Sequence, residues 1–146
     1  MPGIICAIRG GPSSQPTIER AIALAKETKA PLRFLYVVNL EFLARSESSR
    51  TRSITRDLEH LGEFILLTAK ESAQAKGIQA EGIVRHGDVP REIIALAKEL
   101  EADEVILGRP SGEHENDAFT MQHLEALAAR IEEESGAHVI LVKEGA

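Results

Sequence analysis

The sequence predicts an α/β fold built on an open parallel sheet, and three observations carry that prediction. Short apolar runs at Ile4–Ile8, Leu32–Val38, Val105–Leu107 and Val139–Val142, with a weaker one at Ile78–Val84, have the length and continuity of strands buried on both faces. Between them lie segments whose apolar residues recur at three- and four-residue steps, the spacing of a helix face. The two alternate throughout as β-α-β-α-β-α-β-α-β, which requires crossover connections, right-handed almost without exception.

Each helix has its own start and stop. The first runs from Pro16 to about Thr28, with Ile18, Ile22 and Ala25 on one face, Ser14 or Gln15 as cap and Pro16 in the first-turn position that tolerates it. The second and longest, about Ile54 to Lys76, repeats Ile54, Leu58, Leu61, Ile65, Ala69 and Ser72, a stripe expected to cover the sheet, and stops at Gly77. The third opens with Asp88 as cap before Pro90, buries Ile93, Ile94, Ala97 and Leu100, and ends near Glu101. The fourth, about Asp117 to Ser135, presents Leu124, Leu127, Ala128 and Ile131 and ends at Gly136. The stretch Asn39–Ser53, with four serines among Arg45, Arg50 and Arg52, reads as a surface loop; its start at the end of strand two also suits a lid.

With 146 residues the chain is expected to form one domain, residues 1–146. A hydrophobic share of 43% with 27% charged residues is globular, and a net charge of −6 argues against a nucleic-acid or anionic-membrane partner. Cys6, the single cysteine, excludes an intrachain disulfide and reads as a small buried hydrophobe. No signal-like segment opens the chain and no run nears the roughly 20 apolar residues that span a bilayer, so a cytoplasmic location is expected. With four Phe, one Tyr and no Trp, the core must be mostly aliphatic, and base-stacking platforms are scarce.

The run Val105-Ile106-Leu107-Gly108-Arg109-Pro110-Ser111-Gly112 is an apolar strand that breaks into small residues just before a helix. At the carboxyl edge of a parallel sheet, such a loop lets backbone N–H groups approach a phosphate. Together with Val84-Arg85-His86-Gly87-Asp88-Val89-Pro90, Ala102-Asp103-Glu104 and the last strand His138–Val142, the chain resembles the universal stress protein family over almost its whole length. That resemblance implies an adenine nucleotide alpha hydrolase-like, Rossmann-like fold: five parallel strands in order 3-2-1-4-5 with helices on both faces. It also implies a homodimer joined along the last strand, Val139–Val142.

Nucleotide-binding members of the family carry Gly, two residues, Gly, about nine residues, then Gly with Ser or Thr. Here Gly108 matches, Ser111 stands at the second glycine with Gly112 one residue on, and Met121-Gln122 or Gln122-His123 replaces the final pair. Arg9 stands where relatives have an Asp after the first strand, and Glu113, Glu115 and Asp117 would repel a triphosphate. These carboxylates with His114 read as solvated caps, and no metal site is expected. The positions that the resemblance assigns to a ligand are Arg9, Gly10, Val38, Gly108, Arg109, Ser111 and Gly112.

The expectation is a regulatory stress-response module acting through homodimerisation or an unidentified protein partner, without catalytic residues and without ordinary ATP binding. The alternatives are a variant ATP or AMP site, or an anion site at the Gly10–Ser14 and Gly108–Gly112 loops, and weak ATP hydrolysis or adenylyl transfer. Arg9-Gly10-Gly11-Pro12-Ser13-Ser14 also resembles the Ser-Gly-Gly-x-Asp-Ser pyrophosphatase loop of adenylating enzymes at three positions of six, but a tight turn and helix cap is the favoured reading of those residues. The five histidines are scattered, with no i, i+4 pair for a metal; His86, before Gly87, reads as a loop residue.

Overall fold

A computed structural model of the chain describes residues 3–9, 14–38, 49–109 and 117–143. The elements are β1 (Ile4–Ala7), α1 (Gln15–Thr28), β2 (Leu32–Val38), α2 (Ser49–Ala75), β3 (Ala80–His86), α3 (Val89–Leu100), β4 (Glu104–Arg109), α4 (Asp117–Ser135) and β5 (His138–Lys143). All strands are parallel, in one five-stranded sheet of order β3-β2-β1-β4-β5. β1 is central, with Ile4 in register with both Leu32 and Glu104.

Because successive strand side chains point to opposite faces, the sheet divides the apolar residues into two cores. Ile4, Cys6, Phe34 and Ile106 join Ile18, Ile22, Leu66 and Ala69 on the α1/α2 face. Ile5, Leu35, Val105 and Leu107 join Ile93, Ile94, Ala97 and Ile131 on the α3/α4 face. Cys6 is fully buried, as a small apolar residue would be.

A backbone relay ties the amino edge of the sheet together. The Ile4 N–H donates to the Pro31 carbonyl at 2.8 Å, Asp103 N–H to Gly3 at 2.8 Å, and His138 N–H to Asp103 at 2.8 Å. Four chain segments are thereby fixed before their strands begin. A Cβ on Gly3 would lie 2.7 Å from the Pro31 carbonyl oxygen, so this close approach requires glycine.

The strands and helices differ from the sequence pattern where polar or capping residues intervene. β3 begins at Ala80 and reaches His86, not 78–84, because Ile78 is consumed by the end of α2: its N–H donates to Ala73 at 2.9 Å while Gly77, at φ +81°, donates to Gln74 at 2.9 Å. As an edge strand β3 also has no fully buried residue, which weakens its apolar signal. At the other end α2 begins at Ser49, so residues 49–53 are helical rather than part of a loop. Its polar first turns carry no apolar periodicity, yet extending a formed helix costs little. Residues 39–48 of that expected loop lie outside the described residues. α1, α3 and α4 match their expected extents to within a residue or so.

The face that α2 turns to the sheet is the largest correction. The expected stripe is turned partly off the sheet: Ile54 and Leu61 are exposed and Leu58 and Ser72 half-buried, while Ile65 packs at the margin of the core. Gly62, Leu66, Ala69 and Ala73 are the buried positions, and Ala69 alone is common to both sets. Small residues let the helix approach closely: a Cβ on Gly62 would sit 2.5 Å from Tyr36 Cδ1, and one on Gly82 of β3 would sit 3.1 Å from Leu66 Cβ. Tyr36 thus fills the notch at Gly62, and Leu66 the notch at Gly82.

Gly62→Ala should therefore destabilise the protein by about 1–3 kcal/mol through overpacking, although alanine is favoured over glycine in a helix by about 1 kcal/mol. In a Tyr36→Ala background the same change should become neutral or stabilising. Urea unfolding of the four proteins in this double-mutant cycle measures both signs.

Candidate functional site

The carboxyl ends of β1, β2 and β4 open into a cleft of about 670 Å³ on the α3/α4 side of the sheet. This is where the strand order reverses: the chain leaves β1 toward β2 on one side and later returns to β4 on the other. Ala7–Arg9, Leu35–Val37, Leu107 and Gly108 form the sheet side. Val89, Pro90 and Ile93 of α3 make one wall, and Leu124, Leu127 and Arg130 of α4 the other. Tyr36 directs its ring to the opposite face, against Gly62, so it lines the cleft through its backbone. The walls are apolar, and Arg9 and Arg130 are the two charged side chains among the described lining residues.

The α3 wall is held by local chemistry that the sequence spells out. Gly87 adopts φ +136°, donates its N–H to the Val38 carbonyl at 3.0 Å, and leaves room for Glu92, whose Oε2 would lie 3.1 Å from a Cβ there. Asp88 then caps α3 by accepting from the Arg91 N–H at 3.1 Å, and Pro90 occupies the first turn, where no N–H is needed. From β3, Arg85 donates to Glu92 at 3.1 Å and to Glu99, so one guanidinium grips two turns of the helix. The hydrogen bond to Glu99 is the main cause that raises the Arg85 pKa above its ordinary value, against the lowering effect of burial. His86, the last residue of β3, pairs with Glu59 of α2 at 2.9 Å, so it clasps two elements rather than standing free in a loop.

Of the residues assigned from the sequence, the structure brings Arg9 and Gly108 together at the cleft. Arg109 ends β4, in register with Lys143. Val38 does not line the cleft: only 2% of its surface is accessible, and its carbonyl serves the Gly87 turn instead. Gly10, Ser111 and Gly112 lie outside the described residues, as do the 113–116 segment and the pyrophosphatase-like turn at 10–13. Arg130, Ile93 and Leu127 were not singled out as site residues. The helical spacing that places Ile93 and Leu127 on inner faces was visible, but which strand ends they meet depends on the strand order.

Residues 2–134 match the model of the "Universal stress protein family". The chain belongs to the universal stress protein family. A member from Bacillus subtilis (strain 168), universal stress protein YxiE, is 31% identical over 113 residues, covering 72% of this chain and 76% of that one. Among solved structures, a universal stress protein in complex with cAMP superposes with a TM-score of 0.73 at 21% identity, covering 99% of this chain and 98% of that chain. A second, from Archaeoglobus fulgidus in complex with dAMP, gives a TM-score of 0.65 at 13% identity over 98% of each chain. These likenesses agree with the sheet order and helix layers of the universal stress protein fold. Among the described residues no helix is long and apolar enough to cross a membrane.

Removing the cap that orients the α3 wall should cost stability: Asp88→Ala is expected to lose about 1 kcal/mol. Asp88→Asn or Asp88→Ser should recover most of it, because either side chain still accepts the Arg91 N–H. Denaturant midpoints at constant slope measure the effect.

Proposed function

We propose that this universal stress protein is a one-domain, non-enzymatic cytoplasmic regulator that works through dimerisation or partner binding, and that its cleft takes an adenine mononucleotide rather than Mg-ATP. The observation that carries this reading is the combination of apolar walls with Arg9 at the carboxyl end of β1. A nucleobase buries its faces against aliphatic side chains, and a guanidinium supplies a strong, bidentate partner for one phosphate. Arg130, on the α4 wall, is the second cation available to that phosphate; its Nε already donates to Glu134 at 2.7 Å. Phosphoryl transfer needs a positioned nucleophile and concentrated positive charge along a triphosphate. Apart from the two arginines, the described cleft walls present only apolar side chains. The likeness to structures holding cAMP and dAMP supports a ligand with a single phosphate.

The same reading includes a homodimer along β5, an edge strand of the sheet. Exposed strand edges invite pairing with another chain. One feature sets the limits of that pairing: Glu132 of α4 accepts the Val139 N–H at 2.9 Å and also meets His138 Nδ1 at 3.1 Å. Since the His138 N–H donates inward to Asp103, the Val139 N–H points to the outer edge, and Glu132 occupies this first outward donor. Pairing would then centre on Leu141 and Lys143.

Two measurements check these statements. Calorimetric titration should show AMP binding in the micromolar range and Mg-ATP binding no tighter, with Arg9→Ala weakening AMP by about 10–100-fold, the value of a charged hydrogen bond; tighter Mg-ATP binding, or an Arg9→Ala variant that binds AMP normally, refutes the proposal. In sedimentation experiments Lys143→Pro should weaken the β5-edge dimer, and Glu132→Ala should tighten it by freeing the Val139 N–H; unchanged association in both would reject the edge pairing.

A further inference from the structure

Helix α2 has a second apolar face that nothing within the chain's described residues covers. Phe64 is 67% exposed, Leu61 and Leu67 are each 49% exposed, and Ile54 is 37% exposed, while Gly62, Leu66, Ala69 and Ala73 bury the opposite side. The segment Leu61-Gly62-Glu63-Phe64-Ile65-Leu66-Leu67-Thr68-Ala69 is therefore apolar almost all round. A helix with that pattern is normally enclosed on every side. Isolated exposed leucines need no explanation, but four large side chains on one helix, with Phe64 at the centre, form a patch on the order of 400 Å², a size that is often functional.

We propose that this face binds a second copy of the same chain, with the two α2 helices packed antiparallel about a two-fold axis near Phe64. A two-fold interface must be self-complementary, each residue at a distance along the helix meeting its counterpart on the other side of the axis. The α2 sequence has that symmetry. Leu61 and Leu67 lie three residues before and after Phe64, so each comes level with the other's copy and the two flank the Phe64 pair. Arg56 and Glu71 lie eight residues before and seven after it, which sets the guanidinium of one chain opposite the carboxylate of the other, twice per dimer. Both side chains are exposed and have no ion pair among the described residues.

The position along the helix fits as well. α2 runs from Ser49 to Ala75, about 40 Å at 1.5 Å per residue, and its midpoint falls at residue 62, two residues from Phe64. Antiparallel pairing about Phe64 thus overlaps almost the whole of both helices and opposes their dipoles. Together with the flanking His60, Arg56, Thr68 and Glu71, the overlap brings the buried area toward the ~800 Å² per partner of an ordinary specific interface. The face lies on the α1/α2 layer of the sheet, away from the β5 edge, so the two pairings are independent. If both form and their two-fold axes intersect at right angles, the assembly closes as a tetramer.

Sedimentation and light scattering from low micromolar to near-millimolar concentration test this surface. Phe64→Glu should weaken self-association at least tenfold, as expected for a central aromatic anchor, and halve the mass reached at high concentration. Arg56→Glu and Glu71→Arg should each weaken it about two- to tenfold, and the double variant Arg56→Glu/Glu71→Arg should return to within about twofold of the wild type. Phe64, Arg56 and Glu71 are all exposed, and circular dichroism checks that the fold is kept. The same Phe64→Glu effect is expected in a Lys143→Pro background, which separates it from the β5 edge. Identical masses for wild type and Phe64→Glu, a monomeric wild type at every concentration, or a charge-swapped double variant no better than the weaker single would each overturn the proposal.

Discussion

The structure rests on β1 being buried on both faces and hydrogen-bonded on both edges. Ile4, Ile5 and Cys6 have no accessible surface, and the four-residue strand pairs with β2 and β4 at once. Each of its side chains must therefore fit one core or the other: Ile4 and Cys6 against α1 and α2, Ile5 against α3 and α4. So short a strand has few hydrogen bonds of its own. The relay from Pro31 through Gly3 and Asp103 to His138 extends its grip across the amino edge of the sheet.

Opposite that edge, the same central strand creates the cleft. Because the chain leaves β1 for β2 on one side and crosses from β3 to β4 on the other, a cleft opens at the carboxyl end of β1, and Arg9 emerges where the backbone leaves the sheet. The shape of the opening then depends on α3, whose angle is set by the Gly87 turn, the Asp88 cap and the Arg85 grip on Glu92 and Glu99. Much of the local polar chemistry of β3 and α3 thus serves to place three apolar side chains, Val89, Pro90 and Ile93, at the cleft wall.

Polar groups also manage the sheet's exposed margins. Glu132 covers an outward N–H of β5, and Arg33 meets Glu81 between β2 and the other edge strand at 3.4 Å. The surface of α2 is different in kind. It leaves Phe64 and its leucine neighbours in solvent while its glycine and alanines face inward. Close approach of the helix to β2 and β3 explains the small residues inside, and that choice displaces the large ones to the outside.

The extents of α1, α3 and α4, the stops at Gly77 and Gly136 and the cap at Asp88 were legible because each depends on interactions within a few residues: apolar spacing, a side-chain cap, or a positive φ that glycine permits. The sheet order came from family resemblance rather than from spacing, since no local pattern says which strands are neighbours. The sequence by itself determined the alternation of strands and helices and therefore the kind of fold, and it marked Arg9 and Gly108 as strand-end residues at the carboxyl edge of the sheet. Only the tertiary structure decided that Arg130, Ile93 and Leu127 join them, that Val38 does not, and that α2 presents Gly62 rather than Leu61 to the sheet. Those outcomes depend on steric fit between residues distant in the chain, such as a tyrosine ring on one strand filling the notch of a glycine on a helix, and periodicity along a single segment carries no record of that fit.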